Sequence, residues 1–91
     1  RKDAFKEWLL ANSYKENTTN NYAYNVQRCS AFMSEHIETY DFYHAQNLEE
    51  LKQKAHRLLE DASFRDMDVK RHAQCSNALK RYCEFMKNEC R

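Results

Sequence analysis

The 91-residue sequence contains no glycine and no proline. These two residues build most tight turns between antiparallel strands, so their absence argues against a multi-hairpin β fold and leaves helices. No apolar run approaches the roughly 20 residues that a membrane span requires, and no signal-peptide pattern is present. We therefore expect an all-α protein of the cytoplasm that makes no contact with a membrane.

The chain is short and opens on arginine rather than methionine. A chain of this length can build a single core, but it buries only about 60–65% of the surface that its unfolded form exposes. We expect residues 1–91 to form one helical domain, excised from a longer protein.

The four cysteines follow neither a disulfide framework nor a metal-binding pattern. Cys75, Cys83 and Cys90 fall on one predicted helix and cannot all pair within it, which favours reduced thiols. His72 and Cys75 are a weak zinc candidate, because neither Cys-x-x-Cys nor paired histidines are present. The sequence also lacks a glycine-rich phosphate loop and a nucleophile with an evident base. We predict no catalytic residue, no metal and no cofactor, and a protein that is not an enzyme.

Apolar periodicity predicts four helices, over residues 3–12, 18–37, 48–62 and 68–88. Asn17 or Thr18 is the expected N-cap of the second helix, and Asn47 with Glu50 resembles a capping box before the third. Residues 38–46 are predicted to be an aromatic connector that places one or two rings in the core. Residues 62–68 are predicted to be a polar connector, from which Asp66 or Asp68 caps the last helix.

The last predicted helix has two unlike sides. Its apolar side carries His72, Cys75, Ala78, Leu79, Tyr82, Cys83, Phe85 and Met86. Its opposite stripe carries Lys70, Gln74, Asn77, Arg81 and Asn88, flanked by Lys80 and Lys87. A basic and amide-rich stripe can meet phosphates and base edges. The alternative is an ordinary solvated helix face.

The second predicted helix presents an outer face of amides and aromatic or cationic groups. These residues are Asn20, Asn21, Tyr24, Gln27 and Arg28. Asparagine is a mediocre helix former, so its repeated use needs a reason. Hydrogen bonding to phosphate oxygens and adenine edges supplies one reason, and capping chemistry near a helix start supplies another.

The net charge of +1 conceals a polarised distribution. Residues 1–32 carry five basic and three acidic groups, residues 33–68 carry four and nine, and residues 69–91 carry six and two. If the first and last parts of the chain pack side by side, one surface becomes positive and another negative. The alternative is charge that serves solubility alone.

Three stretches together resemble the N-terminal core-binding domain of phage integrases and other tyrosine recombinases. They are Phe5-x-x-Trp8-Leu9, then Asn17-Thr18-Thr19-x-x-Tyr22-x-x-x-Val26 with Phe32, and finally Ala78-Leu79-Lys80-Arg81-Tyr82-x-x-Phe85-Met86. The similarity covers nearly the whole chain. Residues 41–51 are at least as similar to helical modules that precede nuclease domains in restriction-type proteins. The resemblance implies a compact four-helix SAM-like bundle that forms half of a clamp around DNA.

The same resemblance implies a non-catalytic module that binds double-stranded DNA with the outer faces of its second and last helices. The implied contacts are Asn20, Asn21, Tyr24, Arg28, Lys70, Asn77, Lys80, Arg81 and Lys87. Further implied partners are a catalytic domain of the same parent chain and other copies of the module on DNA. The alternative function is a protein-interaction or oligomerisation module, in which Leu10, Tyr24 and the aromatic connector form the contact patch.

Overall fold

The protein is described here by a computed structural model that covers residues 1–89, and Cys90, predicted on the last helix, lies outside the described residues. Residues 1–89 contain helices and no strand, which confirms the predicted all-α class. Five α-helices are present in this part of the chain, one more than predicted. They are α1 (Lys2–Ala11), α2 (Glu16–His36), α3 (Leu48–Glu60), α4 (Ala62–Lys70) and α5 (Gln74–Glu89), with a 3₁₀ turn over Phe42–His44.

The additional helix, α4, occupies the stretch predicted to be a polar connector. Its periodicity is weak because Phe64 and Asp68 are its only fully buried residues. Asp61 ends α3 and also caps α4, since its carboxylate accepts a hydrogen bond from the Phe64 N–H at 2.9 Å. This shared cap at a helix junction is the local signal that the periodicity reading missed.

The last helix begins at Gln74 rather than near Asp68, because the backbone of His72 and Ala73 is left-handed, with φ of 57° and 60°. His72 is therefore exposed in a turn, and its predicted burial was wrong. The Asp68 carboxylate still accepts a hydrogen bond from the Ser76 N–H at 3.1 Å. Asp68 thus caps the last helix across the turn from its place in α4.

The core is built where α2 and α5 pack along each other, with α1 against both and α3 and α4 against α5. Phe5 of α1 packs against both Tyr82 and Phe85 of α5, with its ring centroid 5.2 and 5.6 Å from theirs. Trp8 is half-buried at the edge of this cluster, 5.8 Å from Phe85. Burial of these aromatic rings supplies much of the apolar surface that a small domain needs.

The aromatic connector behaves as predicted, since Phe42 and Tyr43 are both buried. The Ser30 hydroxyl accepts a hydrogen bond from the Phe42 N–H at 2.9 Å, and the Tyr43 hydroxyl donates to the Ala23 carbonyl at 2.7 Å. These bonds fasten the connector to the middle of α2. With these two rings buried, the connector cannot contribute them to an exposed interaction patch.

Helix boundaries differ from the predictions at two places and agree at a third. Helix α2 begins at Glu16 with Lys15 in the cap position, so neither Asn17 nor Thr18 is the cap. Ile37 follows the end of α2 and is only half-buried. Asn47 does cap α3, accepting a hydrogen bond from the Glu50 N–H at 2.8 Å. No helix within residues 1–89 combines the length and apolar character needed to cross a bilayer.

Candidate nucleic-acid interface

The outer face of α2 carries an arginine stacked on an aromatic ring. The guanidinium of Arg28 lies 5.7 Å from the centre of the Tyr24 ring, and Tyr24 is 55% exposed. A cation held over a ring in this way loses less freedom when it meets an anion. Asn20 and Asn21 are also exposed on α2.

Three of the residues predicted to contact DNA surround Met67 of α4. Tyr24 and Arg28 line a groove of about 290 Å³ whose other wall includes Met67, and Glu35 borders it as well. Met67 also lines the adjoining recess, with Lys70, Arg71 and Asp66. Lys70 was predicted to lie on the last helix, but it is the final residue of α4. It still comes close to the outer face of α2.

A second group of predicted residues meets where α2 faces the start of α5. Asn21 and Asn77 line one cleft of about 190 Å³. The remaining lining residues are Thr18, Tyr22, Asn25 and Gln74. We call this site the amide cleft, because four of its six lining side chains are carboxamides.

The inner wall of the amide cleft is fixed by Asn25, which is 6% exposed. Its Nδ2 donates to the Asn21 carbonyl at 2.8 Å, and its Oδ1 accepts from the Cys75 thiol at 3.6 Å. The Cys29 thiol in turn donates to the Cys75 carbonyl at 3.5 Å. These bonds connect α2 to α5 directly beneath the cleft.

The cations of α5 differ in exposure and in ion pairing. Lys80 and Lys87 are exposed, whereas Arg81 is half-buried and paired with Glu84 at 2.8 Å. Burial lowers the pKa of the Arg81 guanidinium, but Glu84 and the Tyr14 hydroxyl raise it, and the net shift is upward. Arg81 thus remains charged, while part of its charge is already neutralised by Glu84.

Sequence reasoning missed several members of these two sites. Arg71 was not among the predicted DNA contacts, yet it caps α4 and lines the recess beside Lys70. Asn25 and Met67 were not expected to line a surface site at all. Gln74 was on the predicted stripe, and its spacing of three from Asn77 was the signal that could have placed it with the site residues.

The other chemistry considered from the sequence does not assemble into a site. Cys75 is fully buried while His72 is exposed in the α4–α5 turn, so this pair does not converge. Within residues 1–89, no three side chains of histidine, cysteine, aspartate or glutamate form a group that could hold a metal ion.

No family model, curated protein or solved structure matches the chain.

Proposed function

We propose that this chain is a non-catalytic DNA-binding module that contacts the duplex with the outer faces of α2 and α5 and with the end of α4. The supporting observation is that Asn21 and Asn77 line the same cleft although they are far apart in sequence. The polar faces of α2 and α5 are therefore neighbours rather than opposite sides of the molecule. A two-helix surface of this kind can follow a phosphate backbone and reach base edges.

The charges on this surface suit a polyanion. Lys70, Lys80 and Lys87 are exposed, and Arg71 adds a further cation beside Lys70. Lysine and arginine supply sequence-independent attraction to phosphates, while the amides of Asn21 and Asn77 can form directed hydrogen bonds with bases. Asp66 and Glu35 border the same surface and reduce its net positive charge.

Binding by the isolated module is weak in this proposal. Four or five phosphate contacts correspond to a non-specific Kd of about 10⁻⁴ to 10⁻⁶ M and to a slope of about −0.9 per contact with the logarithm of salt concentration. Avidity from the rest of a parent protein, or from neighbouring copies on DNA, would supply the remaining affinity.

The wider proposal is that the five helices form a SAM-like core-binding domain of an integrase, a site-specific recombinase or a restriction-type nuclease. In such a protein, strand cleavage belongs to a separate catalytic domain of the same chain. No tyrosine of this module is assigned as a nucleophile. Buried Tyr82 and half-buried Tyr22 pack with the core, which suits that assignment.

The first test is an NMR titration of the domain with a short generic duplex at low salt, repeated at higher salt. We expect shifts confined to residues 20–28 and 70–87 that weaken as salt rises. An absence of shifts in both conditions would contradict the proposal. Concentration-dependent dimers in gel filtration without any DNA-induced shift would instead favour the protein-interaction alternative.

Charge-reversal variants locate the contact surface. Lys80→Glu and Lys87→Glu should each weaken duplex binding and reduce the salt slope by about 1, because each removes one phosphate contact. Lys52→Glu is the matched control, since Lys52 is exposed on α3, a helix that is not part of the proposed surface. Equal loss of binding in Lys52→Glu would show that only net charge matters.

A further inference from the structure

None of the residues that line the amide cleft carries a charge. Its walls combine four carboxamides with the Thr18 hydroxyl and the Tyr22 ring. A phosphate would find no cation among these lining residues. The occupant that such a cleft favours is a neutral group with both hydrogen-bond donors and acceptors.

Three of the four carboxamides have no side-chain hydrogen bond within residues 1–89 and can therefore bind a ligand. The side chains of Asn12, Asn25 and Asn88 each donate to the carbonyl four residues earlier in their own helix. Within residues 1–89, those of Asn21, Gln74 and Asn77 form no such bond. Three carboxamides without a side-chain hydrogen bond therefore line the same cleft.

The cleft is also held in shape before any ligand arrives. Asn25 is committed by two hydrogen bonds, one within α2 and one to Cys75 of α5. The Tyr22 ring packs edge-on against Tyr14, with centroids 5.6 Å apart. A wall fixed by both helices loses little conformational freedom on binding, which favours affinity for a small group.

The volume of the cleft limits the occupant to one small group. At about 190 Å³ the cleft is smaller than the roughly 300–1,000 Å³ pockets that hold drug-sized ligands. Asparagine and glutamine amides pair in a bidentate manner with the adjacent N6–H donor and N7 acceptor of adenine. Tyrosine rings additionally stack on unpaired bases.

We propose that the amide cleft binds a single unpaired adenine base, in a single strand or extruded from a duplex. Asn77 and Asn21 read the base edge from the two helices, Gln74 adds a third amide, and Tyr22 contacts the ring face. This inference goes beyond duplex binding, because a base inside the stack cannot enter a concave site. Extrusion costs a few kcal/mol, so an already unpaired adenine is the preferred ligand.

The test compares three thymidine hexamers that differ at one central position, which carries adenine, guanine or an abasic sugar. We expect the adenine strand to bind at least about tenfold more tightly than the abasic strand, and more tightly than the guanine strand. Asn77→Ala should remove this preference. Asn88→Ala is the matched control on the same helix, because its amide is already bonded to Glu84 and lies outside the cleft.

The outcomes separate this inference from the duplex proposal. Equal binding of all three strands, or an adenine preference that survives Asn77→Ala, would overturn the base site even if the generic duplex still binds. An adenine preference that is lost in Asn77→Ala and kept in Asn88→Ala would support the base site even if the duplex produces no shifts. Absence of binding to every strand and to the duplex would overturn both.

Discussion

The Cys29 thiol, in the middle of α2, donates a hydrogen bond to the backbone carbonyl of Cys75, 3.5 Å away in the first turn of α5. The Cys75 thiol continues the connection to the Asn25 carboxamide at 3.6 Å. Both cysteines are fully buried and unpaired with any disulfide partner in the described part of the chain. These thiols act as small core residues that hold together the two helices of the candidate interface.

This arrangement predicts the order in which the cysteines react. The neighbouring Cys75 side chain and burial raise the pKa of the Cys29 thiol, and burial also raises the pKa of Cys83. Because Cys83 is only half-buried, a thiol reagent near pH 8 should label it before Cys29 and Cys75, which should react at the rate of unfolding. Peptide mapping by mass spectrometry identifies each site. Labelling of Cys29 as fast as Cys83 in the folded protein would contradict this packing.

The turn between α4 and α5 predicts a stabilising substitution. Ala73 has a φ of 60°, a region that costs an L-residue about 1 kcal/mol and glycine almost nothing. Ala73→Gly should therefore raise the free energy of unfolding by up to about 1 kcal/mol in urea titrations. Ala31→Gly, at an exposed position inside α2, should lower it by about the same amount. Destabilisation by both variants would mean that the left-handed turn is absent in solution.

A buried hydroxyl in α2 predicts a second stabilising change. Thr19 is 1% exposed, and its Oγ1 has no hydrogen-bond partner within the described residues. Thr19→Val keeps the shape and removes the unsatisfied group, so stability should stay equal or rise by up to about 1 kcal/mol. Thr18→Val, at a partly exposed neighbour, should change little. A loss above about 1 kcal/mol in Thr19→Val would show that the hydroxyl is bonded in solution.

The connector and α3 are joined by an ion pair that predicts acid sensitivity. Glu38 pairs with Lys54 and lies 3.5 Å from Arg57, and the hydrogen bond from Lys54 lowers the pKa of the Glu38 carboxyl. A carboxyl with a lowered pKa adds stability above its unfolded-state pKa and loses it as pH falls through the folded-state pKa. Stability should consequently decline between about pH 5 and pH 2, and Glu38→Gln should make this decline shallower.

Thermal unfolding measured across this pH range tests the assignment. Glu7→Gln, at an exposed site on α1, is the control and should leave the pH profile unchanged. Identical profiles for the wild-type chain and Glu38→Gln would show that the ion pair contributes nothing to acid sensitivity. Glu50, one turn before Lys54 on α3, accepts hydrogen bonds from the Tyr40 hydroxyl and the Gln46 N–H.

Local physical chemistry made much of the fold predictable. The absence of glycine and proline and the 3.6-residue apolar period indicated helices, and the apolar side of the last helix placed Ala78, Leu79, Tyr82 and Met86 in the core, where all are buried. The Asn47 cap was also readable, because capping depends on residues three apart. The left-handed turn at His72 could not be predicted, since neither His72 nor Ala73 is a residue type from which this conformation is inferred.

For the candidate site, the available chemistry and the helix faces that present it were predictable from the sequence. Amides on α2 and cations and amides on α5 follow from the order of residues and the helical period. Which of these groups lie close together depends on how the helices pack. Asn21 and Asn77 line one cleft, and Met67 of α4 lines a groove with Tyr24 of α2, because helix packing sets distances between residues remote in sequence. No pattern within a single helix contains that information.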